Sequence, residues 1–92
     1  SIDFAAGNNF ELTLTGSSGN TRILANPSNV TAGQSGVITI IQSSNGNNLL
    51  TYGSDWDFSG TPIPLSTTAD AVDTIAYYVI SATKIRAVLI KD

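Results

Sequence analysis

The 92-residue chain contains no His, no Cys and no Met. His is the side chain whose unperturbed pKa lies near neutrality, and Cys is the most readily activated nucleophile. Without them, most routes to hydrolytic, redox and zinc chemistry are closed. No disulfide staples the fold, and the redox compartment leaves no mark on the chain. Charge is also scarce, at 12% of residues, against about 25% in an ordinary domain. The basic residues are Arg22, Lys84, Arg86 and Lys91, and with seven acidic ones the net charge is −3. Four cations neutralise too few phosphates for nucleic-acid binding. No stretch approaches the roughly 20 apolar residues of a membrane span, so membrane insertion is not expected. Ser1-Ile2-Asp3 has neither the basic start nor the apolar run of a secretory signal.

What is present is polar and strand-forming. Thirty-two residues are Ser, Thr, Asn or Gln. Such a surface relies on hydroxyls and amides for solubility, as many secreted, extracellular and virion β proteins do. The length corresponds to a single domain, residues 1–92. A chain of this size hides only about 60–65% of its unfolded surface, so its core is thin. Oligomerisation is a common remedy.

Short strand signals alternate with turn residues. Phe10-Glu11-Leu12-Thr13-Leu14-Thr15 alternates strictly, with Phe10, Leu12 and Leu14 on one face. Thr21–Ala25, Val37–Gln42, Leu49–Tyr52, Val72–Ile80 and Ile85–Ile90 are the further strand candidates. Ser81-Ala82-Thr83-Lys84 makes the tight connection between the last two. Asn45-Gly46, between apolar segments, predicts a hairpin joining Val37–Gln42 to Leu49–Tyr52. Gly53–Pro64 reads as a loop, and Ser66–Asp73 as room for one helical turn capped by Ser66-Thr67-Thr68. The expected fold class is all-β: an antiparallel, jelly-roll-like β-sandwich of six to eight short strands without substantial helix.

Two strands are apolar on both faces. Ile38 and Ile40 oppose Val37 and Ile41, while Ile85, Ala87 and Leu89 oppose Val88 and Ile90. A lone two-layer sandwich needs one apolar face per strand. Val37, Ile41, Val88 and Ile90 are therefore candidate subunit-interface residues, with a second layer of the same domain as the alternative.

Asp55-Trp56-Asp57 sets two carboxylates on one side of an extended chain. They suit a calcium site completed by Asn45, Asn47 and Asn48, or a glycosidase pair. The ordinary role is that of turn carboxylates accepting backbone N–H bonds, and this is the favoured reading. No catalytic residue, cofactor or metal is assigned. Tyr52, Trp56 and Phe58 form an aromatic cluster. Exposed, with Asp55 and Asp57 beside them, they would stack on a glycan; buried, they would plug one end of the sandwich. Of Tyr77-Tyr78, one ring is expected in the core and the other at the surface. Asn29-Val30-Thr31 matches a glycosylation acceptor but arises easily in so Asn- and Thr-rich a chain.

Several segments together resemble a domain found near the C-terminus of tailed-phage virion proteins, including tail fibres and related fibre or decoration proteins. They are Asn9–Thr15, Asn26-Pro27-Ser28-Asn29 leading to Gly33–Ile40, Tyr52–Phe58, Leu65-Ser66-Thr67, Val72-Asp73, Tyr77-Tyr78-Val79 and Lys91-Asp92. The match spans roughly residues 9–92, and its order and spacing are more specific than any one piece. The resemblance implies a β-sandwich knob, commonly trimeric, exposed on a virus particle. The expected function is non-enzymatic, virion assembly with host attachment as a candidate addition; other virion proteins are the expected partners and a host surface glycan a candidate one. It implies no catalytic residue. The chain is expected to be a C-terminal part of a longer virion protein. The alternative function is a carbohydrate-binding module.

Overall fold

The computed structural model describes residues 2–92, and these form an all-β domain. Seven strands are present among them: β1 Asn9–Thr13, β2 Thr21–Leu24, β3 Ser35–Ile41, β4 Leu49–Tyr52, β5 Trp56–Asp57, β6 Val72–Ser81 and β7 Lys84–Ile90. Five of them make one sheet in the order β1-β3-β6-β7-β5, and β2 pairs with β4 in a second. The expected helical turn over Ser66–Asp73 is a hydrogen-bonded turn instead, in which Ala71 N donates to Thr68 O at 3.0 Å.

The sheets are not antiparallel throughout as expected: antiparallel pairing is confined to β3–β6 and β6–β7, whereas β1–β3, β2–β4 and β5–β7 are parallel. The cause is the path of the chain. From β1 to β5, successive strands alternate between the two sheets. β1 and β3, and likewise β2 and β4, therefore enter one sheet in the same direction, as a parallel pair with a crossover requires, while β5 takes the sheet edge beside β7.

The Asn45-Gly46 segment illustrates this. It turns, with Gly46 N donating to Ser43 O at 3.0 Å. The strands it joins do not pair, since β3 and β4 lie in different sheets. The Gln42 side chain holds the corner together. Its Nε2 donates to Asn48 O (2.9 Å) and Ser66 O (2.9 Å), and its Oε1 accepts from Ser43 N and Asn48 N. The side-chain amide supplies bonds that a hairpin ladder would have made.

The large sheet buries one face. Ile38, Ile40, Ile75, Val79 and Ile85 are all at most 1% exposed, each worth roughly 1.5–3 kcal/mol of burial. Leu24 of β2, with Leu50 and Tyr52 of β4, packs over them. Phe4, on a one-turn 3-10 segment Phe4–Ala6 capped by Asp3, closes the end. Its ring stacks on Tyr77 (4.8 Å) and Phe10 (5.5 Å). Tyr77 is buried and donates its hydroxyl to Asn8 O, while Tyr78 points out. Gly36 permits this closure, because a Cβ there would collide with the Asn8 carbonyl. Asp73, 1% exposed, accepts from Ser66 N (2.7 Å) and Asp92 N (3.0 Å), tying the chain end to the core.

Candidate functional site

The segment after β4 is pinned before it becomes a loop. Gly53 N donates to Leu24 O at 2.9 Å. The Asn26 amide accepts from Asp55 N (2.8 Å) and donates to Ser54 Oγ (3.3 Å). Gly53 lies so close to Asn26 that a Cβ there would strike its amide. Asp55 O then accepts from Ile85 N at 2.8 Å. The aromatic stretch thus hangs on fixed backbone at both β2 and β7.

Trp56 points inward. It is buried, packs edge-on to Phe4 (6.3 Å) and Tyr77 (6.4 Å), and spends its indole N–H on Ala25 O (3.2 Å). It is the plug of this end of the core, as the buried alternative expected, and at 7% exposed it still borders the cleft beside it. Tyr52 and Phe58 differ. Both are half-buried, their ring centroids 4.4 Å apart and tilted by 54°. Together with Pro62 and Ile63 they line a cleft of about 870 Å³, whose other side is the Ser81–Lys84 turn.

Asp55 also lines this cleft, half-buried, and its carboxylate has no hydrogen bond or ion pair among the described residues. The Tyr52 hydroxyl has no hydrogen-bond partner among them either. Burial, and then the negative charge of Asp73, push the Tyr52 hydroxyl up to about 12. It remains a protonated donor at ordinary pH.

Asp57 is fully engaged. Oδ1 accepts from Ser59 N at 2.8 Å, and Oδ2 meets Arg86 Nε at 3.2 Å and Lys84 Nζ at 3.6 Å. The Ser59 bond first, then the two cations, hold its carboxyl below the usual carboxylate range. The favoured reading of turn carboxylates thus fits Asp57. The calcium set is not assembled. Asn45, Asn47 and Asn48 donate to the Gly16–Ser18 loop, at the opposite end of β4 from Asp55 and Asp57. Among the described residues no group of three or more acidic side chains is placed to hold a metal ion.

The proposed interface residues lie on the outer face of the large sheet. Val37, Ala76 and Val88 form one cross-strand row, Thr39, Thr74 and Ile90 the next, and Ile41 and Val72 the last. Val37 and Ile41 are half-buried, whereas Val88 and Ile90 are 52% and 55% exposed. Val72, Tyr78 and Ile80 extend the patch and are likewise exposed. These β6 residues were missed as interface candidates, though the period of two in Val72–Ile80 carries them. The approach of Thr83 and Lys84 to the aromatic loop has no sequence signal, because it depends on β5 pairing with β7.

Comparison with protein-family models, with curated proteins and with solved structures finds no match for the chain.

Proposed function

We propose that the chain is a non-enzymatic structural domain of a phage virion, carried on a tail fibre, spike or capsid surface. It assembles with copies of itself, as a trimer, and serves particle assembly and host attachment. The observation behind this reading is the apolar outer face of the five-stranded sheet. Residues of β3, β6 and β7 make its centre, with Glu11 at one rim and Arg86 at the other. An apolar centre with a polar rim is the anatomy of a protein–protein interface. Those three strands, about 4.8 Å apart and about seven residues long, give a face of about 330 Å² in projection.

The virion setting is supported by the resemblance over residues 9–92 and by the skin of hydroxyls and amides. A thin core without disulfides also gains from association. The chemistry of the described residues favours a binding role over catalysis, since Asp57 is committed to two cations and a backbone amide. Native mass spectrometry tests the assembly. A species of three 9.6 kDa chains is expected. A monomer at every concentration up to the solubility limit overturns the proposal.

A further inference from the structure

We propose that the cleft between the 53–65 loop and the β6–β7 turn is a subsite for a neutral saccharide. Its apolar wall is Tyr52 and Phe58, and its hydrogen-bonding groups are the Asp55 carboxylate, the Tyr52 hydroxyl and the Thr83 hydroxyl. A sugar ring has an apolar C–H face and a rim of hydroxyls. Recognition therefore needs an aromatic wall and a few directional polar groups. The cleft holds both. Its volume of about 870 Å³ lies within the roughly 300–1,000 Å³ of ordinary ligand pockets, with room for more than one ring.

Three features of the cleft favour this occupant. The first is the unspent polarity of Asp55 and Tyr52, which is what sugar hydroxyls require. The second is preorganisation. Asp55 projects from a backbone bonded on one side to Asn26 and on the other to Ile85, so little ordering remains to oppose binding. The third is charge. Lys84 lies 3.6 Å from Asp57, which offsets the one cation in the cleft, while Asp55 repels acidic sugars. A neutral ligand is selected. Tyr52, Asp55 and Thr83 border the cleft alone, whereas Phe58 also borders the outer face beside Arg86 and Val88.

The test is an amide-shift titration of the full ¹⁵N-labelled chain with maltotriose, cellotriose, lactose and chitotriose in turn, each to tens of millimolar. At least one sugar is expected to move amides of Gly53–Phe58 and Thr83–Lys84 selectively. Phe58→Ala and the near-isosteric Asp55→Asn should each weaken that sugar about tenfold, a loss of about 1.4 kcal/mol. Ile90→Asp, on the outer face and outside both the cleft and the pocket that Phe58 shares with Val88, should leave its affinity unchanged. Two results overturn the proposal: no sugar of the four shifts these amides, or the shifts persist at full affinity in both Asp55→Asn and Phe58→Ala. Because Ile90→Asp is read in parallel, failure of the cleft and failure of the assembly surface are distinguished.

Discussion

Neighbouring apolar residues on the large sheet meet opposite fates. Leu89 is 3% exposed and Ile90 55%; Tyr77 is 4% exposed and Tyr78 51%. Ile40 is buried and Ile41 only half so, and Val79 is buried while Ile80 is exposed. Neighbours in sequence point to opposite sides of a strand, so position in the register, not hydrophobicity, decides which residue holds the fold together. The inner member of each pair supports folding. The outer member is left over, and it is this surplus that the proposed assembly would bury.

The contrast is broken most strongly from the inside. Trp56→Ala removes the plug against Phe4 and Tyr77 and should cost about 3–5 kcal/mol. Ile75→Ala should cost about 2–5 kcal/mol. Ile90→Ala, measured at concentrations where the chain is dissociated, should change stability by under about 0.5 kcal/mol. Urea unfolding followed by Trp56 or Tyr emission compares the two isoleucines directly, and equal costs would dissolve the distinction between the faces. Asp73→Ala leaves two backbone N–H groups without an acceptor and should cost about 1–3 kcal/mol, again read by urea midpoint. Val88→Asp should leave the isolated domain folded, with unchanged strand circular dichroism, yet abolish association in sedimentation.

The smallest effects are those of pH. The carboxyls of Asp57 and Asp3 are held low, Asp57 chiefly by Ser59 and Asp3 chiefly by Asn29. Their contribution is present above the unfolded value, about 3.9, and is lost as pH falls through the folded values. Thermal unfolding between about pH 5 and pH 2 should record the loss, less steeply in Asp57→Asn. Tyr52 has the opposite sign. Its folded value of about 12 exceeds the unfolded value of about 10, so stability is present below about pH 10 and is lost as pH rises towards 12. Tyr52→Phe should flatten that alkaline limb.

Six strand positions were legible in the sequence as short apolar segments between turn residues, whereas β5, Trp56–Asp57, was read as part of the Gly53–Pro64 loop because two residues carry no period. Phe10, Leu12 and Leu14 point inward as their alternation requires, and Tyr77 and Tyr78 divide between the faces. Pairing was not legible, because it depends on which sheet the chain enters next. Asn45-Gly46 supplied the turn chemistry of a hairpin, but Gln42 bonds the corner shut and sends β4 to the other sheet. The candidate cleft was half legible. Tyr52, Asp55 and Phe58 stand within seven residues of sequence, whereas Thr83 and Lys84 arrive through the β5–β7 pairing. Trp56 was ambiguous by composition and is resolved by its indole N–H, which Ala25 takes up inside the domain.

The claim that the outer face is a subunit surface is tested most directly by methyl relaxation with a soluble paramagnetic agent, comparing Val88 and Ile90 with Ile75. At high chain concentration the outer methyls should be shielded nearly as well as Ile75, and on dilution or in Tyr78→Asp they should become strongly relaxed. Outer methyls that relax strongly at every concentration, while Ile75 stays protected, would contradict it.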